Sequence, residues 1–133
     1  MPRILHMKSR RRGFTLIELL IVVTILGLLA AIAIPRFNHM KEKANVATMQ
    51  TALKNLGQAE ETFFAEHGIY TDVLDSLNFT PSAEMTLTVV EATNTGWSAT
   101  ITHPNAMPKK CAFYLGTAVP VPPAKDQGSL ACQ

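Results

Sequence analysis

The spacing of apolar residues changes three times along this chain, and each spacing predicts a different element. From Phe14 to Ile34 the sequence FTLIELLIVVTILGLLAAIAI holds a single ionisable side chain, Glu18. A helix that is apolar on every side has no face to offer water. At about 1.5 Å per residue this one would measure about 31 Å, close to the thickness of a bilayer's hydrocarbon core. From Arg36 to Glu66 the composition turns to Ala, Lys, Glu, Gln, Met and Leu, which favour helix. Here Met49, Leu53, Leu56, Ala59 and Phe63 recur every three or four positions and draw one apolar stripe. The pattern predicts one long helix, embedded in a membrane over its first half and packed on a folded head over its second.

Pro35 stands at the junction, where it removes a backbone donor and crowds the preceding turn. Gly27 is a second weak point. Two readings stay open: a simple kink, tolerated in membrane helices, or a stretch between Gly27 and Pro35 that unwinds on assembly. The helical pattern stops at His67-Gly68, and Asp72 to Leu77 has the length of one helical turn. Beyond it the period falls to two. Met85, Leu87 and Val89 alternate with Thr86, Thr88 and Val90. After an Asn94-Thr95-Gly96 turn, Trp97, Ala99 and Ile101 alternate with Ser98, Thr100 and Thr102. Lys110 to Leu115 reads as a third strand with Cys111, Phe113 and Leu115 on one face. From Gly116 onward Pro120, Pro122 and Pro123 predict an irregular loop. The expected fold is α+β, a long N-terminal helix packed on a small antiparallel head of three strands.

Hydrophobic residues make up 47 % of the 133 positions and charged ones only 17 %, which leaves room for one small domain beside the apolar helix. Charge is unevenly placed. Residues 1–13 hold Arg3, Lys8, Arg10, Arg11 and Arg12 and no acid, whereas acids outnumber bases in the remainder. The net charge of +2 therefore belongs to a short leader, and no nucleic-acid-binding face is indicated. Basic residues directly before an apolar span hold that end in the cytoplasm. Arg36, Lys41 and Lys43 beyond the span weaken this bias without reversing it, so the C-terminal body is exported. Both cysteines, Cys111 and Cys132, lie in that body. An oxidising compartment permits them one intramolecular pairing, the alternative being two free buried thiols.

The residues RRRGFTLIELLIVV (10–23) closely resemble the signature of type IV pilins and the related pseudopilins. The resemblance covers roughly residues 1–35. FFAEHGIYTDVLDSL (63–77) is more loosely similar to the helix-to-head connection of these proteins, and the late cysteine pair resembles the disulfide-bounded C-terminal region of many pilins. The resemblance implies cleavage by a membrane-embedded aspartyl protease between Gly13 and Phe14, then N-methylation of Phe14. It also implies that Glu18 pairs with the Phe14 amine of a neighbouring subunit. The residues themselves support part of this. A small residue lets a protease reach the backbone, and a cut there removes the basic leader but keeps the whole apolar helix. A charge in hydrocarbon costs roughly 2.5–3.5 kcal/mol or more, so Glu18 wants a partner unless it snorkels to water from near the cut. Burying either charge alone is unfavourable, and pairing offsets that only at one axial stagger, which sets register. Thr15 fits a helix-terminal role.

Residues 1–13 are thus expected to be a removed cytoplasmic leader, 14–35 the transmembrane and polymerisation helix, and 36–133 the exported helix and head. The function implied is a structural, non-enzymatic subunit of a type IV pilus serving adhesion, twitching motility or DNA uptake. Its partners would be further copies of itself, the prepilin peptidase, the inner-membrane assembly machinery and, before assembly, the lipid bilayer. It would reside in the inner membrane and then on the cell surface. A type II secretion pseudopilin is the nearest alternative, disfavoured by the late cysteine pair. A secreted binding domain with an ordinary signal peptide is a third reading, since Ala31-Ile32-Ala33 resembles a signal peptidase site. Against it, the run exceeds the usual apolar region of about 7–15 residues, contains Glu18 and continues as helix. His6, His39, His67 and His103 are too dispersed for a metal site, and the cysteines lack ligand spacing; no cofactor is expected. No glycine-rich phosphate loop or local Ser/His/Asp set appears. Asn78-Phe79-Thr80 matches a glycosylation sequon, a pattern short enough to arise by chance. Phe14, Phe37, Phe63, Phe64, Tyr70 and Trp97 fall at packing positions rather than tracing an electron path.

Overall fold

The computed structural model describes residues 13–133. Apart from Gly13, the expected leader lies outside the described residues, as does His6. The elements are α1 (Leu16–His67), a 3-10 turn (Leu74–Leu77), β1 (Thr86–Ala92), β2 (Gly96–Thr102), β3 (Lys110–Gly116) and β4 (Ala131–Cys132). The chain divides into two compact units, one ending at Arg36 and the other comprising Phe37–Gln133. In the first, every side chain of the apolar run is exposed. Pro35 lies inside α1, which continues as one helix from Leu16 to His67 although Pro35 itself has no N–H to donate.

In the second unit α1 carries Met49, Leu53 and Leu56 into the core, against Trp97, Ala99 and Ile101 of β2 and Cys111 of β3. Ala59 and Phe63, the rest of the stripe, are partly buried at its margin. The helix stops where Gly68 turns left-handed, at φ +73°, and its N–H closes the last turn on the Phe64 carbonyl at 2.7 Å. The returning chain is held twice. The Tyr70 ring stacks on Phe64 at 4.6 Å between centroids, and the Tyr70 N–H donates to the Thr93 carbonyl at 2.9 Å.

The sheet is antiparallel in the order β1-β2-β3-β4. The expectation of three strands is corrected here: Ala131 and Cys132 pair with Ala112 and Cys111 as a fourth strand, too short to show a period. Val90 is a bulge residue, because Val89 pairs with Ala99 while Glu91 pairs with Ser98. The extra residue keeps both Val89 and Ala92 on the core side. Gly96 faces Gly116 across β2 and β3. A side chain at Gly96 would strike the Leu115 carbonyl oxygen and one at Gly116 the Thr95 carbonyl oxygen, and Gly116 also needs φ +67°.

The second face of the sheet is covered as well. Ala112 and Tyr114 pack with Ala124 and Val121 of the irregular tail. The Tyr114 hydroxyl donates to the Lys125 carbonyl at 3.0 Å, and the Gly128 N–H donates to the Tyr114 carbonyl at 2.9 Å. Ser98, on the same face of the central strand, is consequently buried. Cys111 and Cys132 are register partners joined by a disulfide, which closes the tail onto β3.

Candidate functional site

Of the residues singled out by the sequence, Gly13, Phe14, Thr15 and Glu18 adjoin at the start of α1, whereas Gly27 and Pro35 lie further along it and Cys111 and Cys132 in the sheet. Thr15 caps the helix: its hydroxyl oxygen accepts the Glu18 N–H at 3.3 Å. Glu18 reaches back, its Oε2 accepting the Thr15 backbone N–H at 2.9 Å and the Thr15 hydroxyl at 2.8 Å. This reciprocal capping box is what Thr-x-x-Glu spacing encodes, and it satisfies donors that a helix start otherwise leaves without partners. Thr15 thus has the helix-terminal role expected of it. Glu18 is fixed by local chemistry, with both bonds on Oε2.

Phe14 is 75 % exposed, and a Cβ built on Gly13 would meet no atom within 4 Å. The peptide bond between them is open to approach. Further along, the Thr24 hydroxyl donates to the Leu20 carbonyl at 2.7 Å, which hides the one other polar side chain of the run against the backbone. A Cβ at Gly27 would also meet nothing, so space alone does not require glycine there. Leu16–His67 is the helix that is long and apolar enough to cross a membrane.

In the head, two buried polar groups besides Ser98 were not foreseen. Glu60 lies fully buried on α1, its Oε2 accepting the Thr71 N–H at 3.1 Å while Oε1 has no partner. Burial pushes its pKa above the ordinary carboxylate value; the Thr71 N–H opposes this, and Glu61 and Asp72 add to it. Burial likewise raises Tyr70, whose hydroxyl donates to Glu61 Oε1 at 3.0 Å. The signal for Glu60 was positional: 49, 53, 56 and 60 keep the three-four spacing of the stripe. His103 is the second group, 4 % exposed, its Nδ1 accepting the Asn105 N–H at 3.1 Å. The proton is thereby placed on Nε2, which stands 3.2 Å from Glu84 Oε2. Among the described residues no group of three or more His, Cys, Asp or Glu is placed to hold a metal.

A family profile described as a prokaryotic N-terminal methylation motif matches residues 8–34. The chain is 44 % identical over 79 residues to the type IV major pilin protein PilA of Myxococcus xanthus, covering 59 % of this chain and 36 % of that protein. It is 46 % identical over 56 residues to the type IV major fimbrial protein FimA of Dichelobacter nodosus, covering 42 % and 36 % respectively. The matches span about a third of the length of these two relatives. With the type IV wide pilus major component PilA4 of Thermus thermophilus, identity is 30 % over 119 residues, covering 81 % of this chain and 90 % of that protein. This chain belongs to the type IV pilin family. In this pilin the matched motif contains Gly13, Phe14, the Thr15–Glu18 capping box and Gly27, and it ends one residue before Pro35. The pilin head carries the disulfide-bounded C-terminal region that the resemblance implied.

Proposed function

We propose that this pilin is the structural subunit of a type IV pilus filament, made as a precursor, cut between Gly13 and Phe14 and N-methylated on Phe14. The observation that carries the reading is the helix from Leu16 to Ile34, apolar and exposed on every side. Such a surface needs lipid first and other copies of the same helix afterwards. Residues 1–13 are the cytoplasmic leader, 14–35 the span and polymerisation segment, and 36–133 the exported part. Lipid tails are as apolar as leucine, so leaving the bilayer for a helical bundle brings no hydrophobic gain; close packing supplies the cohesion. Register needs something directional. The cut creates a positive amine on Phe14, and Glu18 Oε1 is the oxygen that the capping box leaves for a neighbour's amine. A buried pair of this kind forms at one stagger only. Gly27 and Pro35 are the positions at which the helix adjusts on assembly.

The protein is not an enzyme in this reading. The prepilin peptidase and the inner-membrane assembly machinery act on it, and the filament serves adhesion, twitching motility or DNA uptake at the cell surface. Mass spectrometry of subunits sheared from cells should give an N-terminus of methyl-Phe14. An N-terminus of Ile34 would mean signal-peptidase cleavage after Ala33 and would overturn the proposal.

A further inference from the structure

Ile69 to Val73 run from the left-handed Gly68 to the 3-10 turn as a strap with few inward holds. Tyr70 is the buried side chain among them, while Ile69 and Val73 are about half exposed. The other holds are hydrogen bonds. The Tyr70 N–H donates to the Thr93 carbonyl at 2.9 Å. The Tyr70 hydroxyl donates to Glu61 Oε1 at 3.0 Å, and the Thr71 N–H to Glu60 Oε2 at 3.1 Å. Two adjacent acids of α1 therefore fasten the strap, and they differ. Glu61 is exposed to water. Glu60 is fully buried, and its Oε1 has no partner. A segment with few buried apolar contacts belongs to the part of a fold that opens at least cost.

We propose that Glu60 is a pH-operated latch on this strap: protonated, it holds Ile69 to Val73 against α1, and ionised, it lets them go. A protonated Glu60 keeps an oxygen for the Thr71 N–H and carries no charge to bury. An ionised one grips that N–H harder, yet a single N–H does not replace the water that a carboxylate loses on burial. Burial dominates and holds the Glu60 pKa above the ordinary carboxylate value. The charged groups around it add to this, since Glu61 on α1 and Asp72 on the strap are both acids. The Tyr70 phenol also stands near and is uncharged across this range. From the sheet, the buried residues of β2 are Trp97, Ser98, Ala99 and Ile101, none of which titrates. Lifting the strap takes the Thr71 N–H away and lets water reach the carboxylate. The open form then has the ordinary pKa and the closed form the raised one. Between the two values the ratio of open to closed rises about tenfold per pH unit, and it levels off outside them. Release uncovers the Phe64 ring on which Tyr70 stacks. The latch lies wholly within the head and requires neither the membrane nor the filament reading.

The test is hydrogen exchange at the Tyr70 and Thr71 amides of the full chain in detergent, from pH 4 to 8, with each rate divided by the intrinsic rate at that pH. Global unfolding also hydrates Glu60, so a pH slope alone does not establish a latch. The strap amides should exchange at least about tenfold faster than those of Ala99 and Ile101 in β2, which marks opening short of unfolding. Their protection should fall about tenfold per pH unit inside the window. Glu60→Gln should hold strap protection level across the whole range. Tyr70→Phe removes the bond to Glu61 but keeps Glu60, so it should lower protection by one factor at every pH and preserve the slope. Strap amides exchanging no faster than β2, level protection in wild type, or a slope that survives Glu60→Gln would each overturn the proposal. So would loss of the slope in Tyr70→Phe, which would assign the latch to Glu61.

Discussion

Replacing Glu60 with glutamine should stabilise the head at neutral pH and flatten its response to pH. Burial raises the Glu60 pKa in the folded chain, so the native state holds this proton more tightly than the unfolded state does. Unfolding therefore releases a proton between the two pKa values, and stability falls as pH rises through that window. The penalty is absent below the unfolded value and complete above the folded one. Every titratable neighbour works in the same direction, since Glu61 and Asp72 are acids, and the Thr71 N–H offers the only opposing contact. Glutamine keeps an oxygen for the Thr71 N–H and never ionises. It leaves an amide where Oε1 had no partner, and an unsatisfied buried polar atom costs about 1–3 kcal/mol. The gain at pH 7 is what the ionisation penalty leaves after that cost, and each 1 kcal/mol of it would read as about 4–8 °C in a head of this size. Trp97 is the only tryptophan and is 1 % exposed, so its fluorescence reports head unfolding in detergent. The wild-type and Glu60→Gln curves should converge near pH 4 and separate by pH 7. A variant less stable than wild type at pH 7, or two curves running parallel from pH 4 to 8, would refute the reasoning.

Two further outcomes follow from the geometry of the sheet. Gly116→Ala should cost about 2 kcal/mol or more, because it combines positive φ with a collision against the Thr95 carbonyl oxygen; a urea midpoint equal to wild type would contradict this. Cys132→Ala opens a loop whose ends are separated by 21 residues, and should cost about 3 kcal/mol. Limited proteolysis should then cut first in the tail between Thr117 and Leu130, and an uncut tail with an unchanged midpoint would show that the disulfide does not hold it.

Much of this was legible in the sequence because a periodic pattern records which side of an element is covered. Met49, Leu53 and Leu56 announced the packed face of α1, and Trp97, Ala99 and Ile101 the inner face of β2. Gly68 and the Asn94-Thr95-Gly96 turn marked the reversals. What stayed hidden was burial without period. β4 has two residues, and two residues cannot alternate. The tail packs through Ala118, Val121 and Ala124, small residues scattered among prolines, so it reads as loop although it covers the outer face of the sheet. Ser98 and Thr100 read as solvent-facing because nothing in β2 alone reveals that second layer. Glu60 sat in the stripe, yet an acid beside Glu61 reads as part of a wet face. At the candidate site, Glu18 drew attention only as a charge in an apolar run, and the capping box in its Thr-x-x-Glu spacing went unread. The fold adds that these are the same carboxylate, engaged by Thr15 on one oxygen.

Filament yield with altered Glu18 tests the central claim most directly. Glu18→Ala removes both the capping box and the partner for a neighbour's amine, so Thr15→Ala is needed beside it to remove the cap alone. Losing a helix cap costs about 1 kcal/mol, whereas leaving one member of a buried pair unpaired costs roughly 3–5 kcal/mol. Each variant is expressed as the sole subunit, processing is verified to be equal, and sheared surface filament is measured against the membrane pool. Thr15→Ala should still form filaments at moderately reduced yield. Glu18→Ala should be processed and inserted normally yet accumulate in the membrane with little filament. Wild-type filament yield from Glu18→Ala would contradict the account.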